Sequence, residues 1–191
     1  MKRSQFLAVL EIAEILFIAL AAVFIVKSYV AQPFVVQGSS MEPNFGPGDY
    51  LLVDELSPRF ESLKTGEVVV FRYPQDPSEF FIKRIIGLPG DKVTIENGRV
   101  YVNGKELSET YLPQGTETCL SSSYSLDSCG NETVDLTADQ YFVMGDNRAV
   151  SYDSRSWGPV AANLMMGVVR VRLLPPTEFK IFSYSSANQK N

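Results

Sequence analysis

Two Asn-Gly dipeptides, Asn97-Gly98 and Asn103-Gly104, punctuate the stretch KVTIENGRVYVNGKEL at Lys92–Leu107. Asn-Gly between β-branched runs is the favoured pair of a type I′ hairpin turn, because both turn residues need positive φ. A chain that reverses so tightly pairs neighbouring strands antiparallel. The same texture holds from Val35 onward. YLLVDEL, GEVVVFRYP, FFIKRIIGLPGD, QYFVMGDN and MGVVRVRLL are short strand-like runs bounded by Gly, Pro, Asn and Asp. Beyond residue 40 no long 3.6-residue periodicity appears, AANLMM being a helical turn or two at most. The expectation is a mainly β domain over 35–183, antiparallel and barrel-like, followed by a polar tail at 184–191.

The N-terminal stretch, 1–34, is of another kind. Lys2 and Arg3 precede an uninterrupted apolar run from Ile15 to Val26, which reaches Ala31 if Lys27 snorkels to the interface. Three readings fit. A cleaved signal peptide would use Ala19–Ala21, but the apolar run continues past that site. A buried core helix would suit the shortness of the strict run. An uncleaved transmembrane helix in membrane lipid fits best, with Glu11 and Glu14 at the cytoplasmic edge. The leading positive charges favour the N-terminus inside and the β domain outside.

Composition narrows the chemistry. A net charge of −5 gives no basic surface for nucleic acid. With no histidine and two cysteines a zinc site lacks ligands, and no calcium-loop spacing occurs, so neither a metal nor a cofactor is expected. Cys119 and Cys129, in a polar serine-rich stretch, read as one disulfide outside the membrane; two free thiols in a reducing compartment are the alternative.

Catalysis must then come from Ser, Thr, Lys, Asp, Glu or Tyr. Ser39 and Ser40 stand in QGSSMEP, and a serine nucleophile needs a neighbouring base. Without histidine that base is a lysine, and burial would lower its pKa. Lys83, in EFFIKRIIGLPGD, is the lysine with the most apolar neighbours. Pattern alone favours a sheet lysine snorkelling to water. The G-x-S-x-G signature fails at Glu42, and no serine has a lysine three residues later.

QPFVVQGSSMEP, GDYLLV, GEVVVF, FIKRIIGLPGDKV and MGDNRAVSYDSRSWGPV, in this order after an apolar N-terminal segment, resemble the boxes of the bacterial type I signal peptidases. That family comprises membrane-bound serine endopeptidases that remove signal peptides from exported preproteins. The resemblance implies a single-pass protein of the plasma membrane, its N-terminus cytoplasmic and its catalytic domain extracytoplasmic. Ser40 would be the nucleophile, Lys83 the general base and Ser151 the partner that orients the lysine. Asp153, Arg155, Asp146 and Arg84 would support the site. The Ser40 N–H would donate to the oxyanion, while Gly38 stands where many members carry a serine, leaving the second donor open. Val36, Met41, Phe45, Phe81 and Ile82 match pocket positions for small residues at −1 and −3 of the signal peptide. A self-cleaving Ser/Lys repressor is the alternative enzyme; it would need a DNA-binding domain in place of the apolar segment. An anchored binding protein without activity is the non-enzymatic one.

Overall fold

The computed structural model describes residues 10–20, 31–120 and 129–184. Residues 10–20 form a helix, α1. The rest of the apolar segment, 21–30, lies outside the described residues, as do 1–9. Among the described residues no helix is long and apolar enough to cross a membrane. The expected spanning helix therefore falls largely outside what is described.

The strands are β1 (Ala31–Val35), β2 (Tyr50–Asp54), β3 (Val68–Tyr73), β4 (Asp76–Gly87), β5 (Lys92–Glu96), β6 (Arg99–Val102), β7 (Lys105–Glu106), β8 (Glu132–Asp135), β9 (Gln140–Met144), β10 (Val160–Ala161), β11 (Met165–Leu174) and β12 (Lys180–Ile181). A short helix, α2 (Ser154–Trp157), lies between β9 and β10. All recorded pairings are antiparallel. One sheet runs β1-β2-β11-β3-β4-β9-β10 with β12 on β11, and a smaller one runs β7-β6-β5-β8.

The smaller sheet is built by the turns the sequence announces. Asn97, Gly98, Asn103 and Gly104 all have φ between 51° and 78°, as type I′ turns need.

The larger sheet is not a closed barrel, which corrects the barrel-like expectation. It ends at β1 and β10. β10 has only two residues, too few to carry a ladder round to β1. Register shifts, in β11 and between Ile85 and Gly87 of β4, bend the sheet locally instead.

Three apolar clusters hold this arrangement. Val36, Met41, Phe45, Leu51, Val53, Val68, Val70 and Val169 fill one face. Phe71, Ile85, Val143, Val160 and their neighbours fill the other. Ile86, Phe142 and Met144 pack the large sheet onto the small one through Val93, Ile95 and Val100. Tyr184, the first residue of the expected polar tail, packs back onto the sheet, its hydroxyl donating to Val169 O at 3.0 Å. The remainder of that tail, 185–191, lies outside the described residues.

Candidate active site

Ser40 sits in a tight turn after β1. Gly38, at φ +80°, takes a left-handed conformation that favours glycine and swings the chain out of the strand. The turn closes on itself through Glu42 N to Ser39 O at 3.2 Å and Phe45 N to Met41 O at 2.9 Å. Met41 and Phe45 pin it from below, as both are fully buried. From the opposite side Asn147 donates its backbone N–H to Ser40 O at 3.0 Å and its side-chain amide to Ser39 O at 3.2 Å. Among the described residues no acceptor takes the Ser40 N–H.

Lys83 approaches from β4, where it pairs with Val69. It is 4% exposed. Its Nζ lies 2.7 Å from Ser40 Oγ and donates to Ile82 O at 2.9 Å, with the Phe81 ring 5.4 Å away. Burial pulls the Lys83 pKa down to about 8, against the opposing pull of Asp153 and Asp146 and with the help of Arg155. A lysine with that pKa is partly neutral near pH 8 and can accept a proton.

The two aspartates are each tied to an arginine. Arg84 makes a bidentate pair with Asp146 at 2.8 and 2.5 Å, donates to Gly66 O at 2.7 Å, and lies 4.0 Å from the Tyr111 ring centroid. Arg155 makes a bidentate pair with Asp153 at 2.9 and 2.8 Å. Burial pushes the Asp153 carboxyl up, but Arg155 and the Gly145 N–H outweigh it and hold the pKa below the usual range. Asp153 also caps α2 by accepting from Arg155 N at 3.2 Å.

Ser151 is brought into this shell but not onto the lysine. Its Oγ is buried and meets no partner in good hydrogen-bond geometry, yet it stands near enough to the Asp153 carboxylate to help hold that pKa down. Among the described residues the Lys83 Nζ partners are Ser40 Oγ and Ile82 O, and Ser151 is not one of them. Gly145 explains how closely the loops approach. A Cβ there would run into Ser151 Oγ and Ser40 O, so any larger residue would have to displace them.

Several supporting residues carry no sequence signal. Arg148 is buried, pairs with Glu109 and Thr118, and donates to Gly145 O at 3.1 Å. Asn44 bridges Tyr111 O and Asp146 at 2.8 and 2.9 Å. Apart from the local bond to Gly145 O, these contacts join segments 30 or more residues apart, and no local pattern marks them.

An open cleft of about 670 Å³ reaches Ser40 and Lys83 between the end of β1 and β4. Val36, Phe81 and Ile82 line it, and Gly38 is at its wall. Met41 and Phe45 are not among the residues that line it. They lie in the core under Val36, because that is what holds the turn. Cys119 and Cys129 are joined as a disulfide, and Cys119 O accepts from Arg155 Nη1 at 2.9 Å.

The chain matches the family model described as "Signal peptidase, peptidase S26" over residues 9–174. It is 33% identical over 181 residues to signal peptidase IB of Staphylococcus aureus (strain MRSA252), covering 91% of this chain and 93% of that one. Signal peptidase I of Bacillus amyloliquefaciens is 38% identical over 156 residues, 81% of this chain and 82% of the relative. Among solved structures, a signal peptidase I from Enterococcus faecalis V583 aligns with a TM-score of 0.46 at 26% identity, covering 57% of this chain and 97% of that one.

Proposed function

The chain belongs to the signal peptidase family, peptidase S26, and is a serine endopeptidase of the type I signal peptidase kind; from that premise we propose that it cleaves signal peptides from exported preproteins with a Ser40/Lys83 dyad. The observation that carries this reading is the 2.7 Å separation of Ser40 Oγ and Lys83 Nζ around a buried lysine.

Neutral Lys83 takes the Ser40 proton as Oγ bonds to the scissile carbonyl carbon. The resulting ammonium gives that proton to the leaving nitrogen, the C–N bond breaks, and an acyl-enzyme remains. Lys83 then deprotonates a water that attacks the ester, and Ser40 recovers its proton as it leaves. The Ser40 N–H donates to the oxyanion, a contribution commonly worth about 3 kcal/mol per donor. Asp153, Arg155, Asp146 and Arg84 hold the loops that frame the dyad, and Ser151 stands ready to contact the lysine once substrate is bound.

The substrate lies extended along β4. That strand pairs with β9 only from Arg84 onward, so its edge up to Lys83 is free to receive a peptide strand. Val36 and Ile82 supply a shallow apolar wall suited to small residues at −1 and −3. The 1–34 segment anchors the enzyme in the plasma membrane by one span, N-terminus inside. The β domain, 35–183, then works at the outer face, where tethering raises the effective concentration of emerging signal peptides. External protease should digest the β domain in spheroplasts; full protection would refute this topology.

Incubating the purified chain with a preprotein tests the activity. Cleavage after the −1 residue should be lost in Ser40→Ala and largely kept in Ser39→Ala. Loss in Ser39→Ala alone would shift the nucleophile by one residue.

A further inference from the structure

The segment from Leu107 to Leu120 carries none of the stretches that resemble the family, yet it straps the back of the site. Both its ends are held by the smaller sheet. Leu107 N donates to Val100 O at 2.8 Å, and Thr118 N donates to Gly98 O at 2.8 Å. The strap so fixed reaches each of the three arginines behind the dyad. Tyr111 lays its ring on Arg84, Cys119 O accepts from Arg155, and Glu109 and Thr118 both take Arg148.

Arg84 and Arg155 pair with aspartates of the site itself, Asp146 and Asp153. Arg148 differs, because its carboxylate comes from the strap. Its side chain is 1% exposed, and Glu109 meets both of its terminal nitrogens. The Tyr111 hydroxyl donates to the same carboxylate at 2.7 Å. Burial and the Glu109 charge push the Tyr111 pKa up, so the phenol keeps its proton and remains a donor.

Arg148 passes this hold on to the reacting turn. Its Nε donates to Gly145 O at 3.1 Å. Gly145 packs so closely on Ser40 O and Ser151 Oγ that a methyl group would strike both. Two residues on, Asn147 N donates to Ser40 O at 3.0 Å. A buried guanidinium stripped of its counter-charge is strongly unfavourable and relaxes toward water, taking the loop it grips with it. We propose that Glu109 is a positioning residue for the peptidase reaction, holding the 145–151 loop against Ser40 through Arg148. This step rests on the Ser40/Lys83 reading above. The smaller sheet then serves the chemistry too, as the frame that fixes the strap.

The test measures kcat and KM separately for a signal-peptide substrate cleaved by the full chain in detergent micelles. Each variant is assayed where circular dichroism shows it folded. Glu109→Gln keeps the shape of the side chain and removes its charge. Its kcat should fall roughly 10- to 100-fold while KM stays within about twofold, since the cleft wall is untouched. Glu109→Asp, which keeps the charge on a shorter side chain, should retain more of kcat than Glu109→Gln. Glu106→Gln breaks an exposed pair with Arg99 on the smaller sheet and should leave kcat unchanged. Tyr111→Phe, the milder change, removes only the hydroxyl that orients Glu109 and should lower kcat about 5-fold.

A Glu109→Gln enzyme that loses stability but keeps the wild-type kcat overturns the inference, as does a rise in KM alone. Should Glu109→Gln fail to fold, a Tyr111→Phe enzyme with the wild-type kcat overturns it equally. All three results leave the peptidase reading intact. No cleavage by the wild type overturns that reading and this inference with it.

Discussion

Asp153 and Arg155 form an ion pair at 2.8 Å in which neither side chain is more than 2% exposed. The same carboxylate accepts the Gly145 N–H at 3.0 Å and pulls the Lys83 pKa up. One charge thus serves both fold and base.

Asp153→Asn should act on both. It leaves the Arg155 guanidinium buried without its counter-charge, and breaking such a pair typically costs about 3–5 kcal/mol. It also removes an anion that favours the protonated lysine, so the Lys83 pKa should fall further. Urea unfolding should show the destabilisation, and the acid limb of the kcat/KM–pH profile should move to lower pH. A limb that moved upward would contradict the electrostatic account.

Gly145→Ala should remain folded but lose about 100-fold in kcat/KM, because the new methyl displaces Ser40 O and Ser151 Oγ together. Circular dichroism beside a peptide assay checks this. Activity within threefold of wild type would mean the loops yield more easily than their packing implies.

The Cys119–Cys129 bond should cost stability more than turnover when both residues become serine. Closing so short a loop is worth at most about 3 kcal/mol. The contact to Arg155 comes from the Cys119 backbone carbonyl and survives the change. Thermal melts and kcat/KM on the double variant decide it. A loss of turnover with an unchanged melting temperature would reverse the assignment.

Burying Lys83 should leave a signature in stability against pH. Its pKa is about 8 in the native state and about 10.4 in the unfolded chain. Between these values the unfolded chain binds a proton that the native state lacks, so native stability rises with pH across the window. Below about pH 8 the full cost, roughly 3 kcal/mol, is present. Lys83→Met removes the titration, so its stability advantage over wild type should be largest near pH 7 and shrink toward pH 10. A gap independent of pH would show that Lys83 titrates normally.

The hairpins of the small sheet were legible because Asn-Gly is a local signal that needs no distant partner. Closure of the large sheet was not, since it depends on the lengths of its end strands. In β10 that length is two residues. Ser40 and Lys83 could be singled out by motif and by the apolar setting of β4, but their 2.7 Å approach spans 43 residues of sequence. Apolar character alone does not distinguish a cleft wall from the core beneath it, where Met41 and Phe45 lie. Glu109 and Thr118 were invisible, as their partner Arg148 is 39 and 30 positions away.

The central claim is that a neutral lysine activates Ser40. Its most direct test is kcat/KM for signal-peptide cleavage by wild type and Lys83→Arg across pH 6–10, with circular dichroism confirming that both fold. Wild-type activity should rise with pH through an apparent pKa near 8. Lys83→Arg should be inactive throughout, because a guanidinium keeps its proton over this whole range. Appreciable cleavage by folded Lys83→Arg at any of these pH values would contradict the Ser40/Lys83 mechanism.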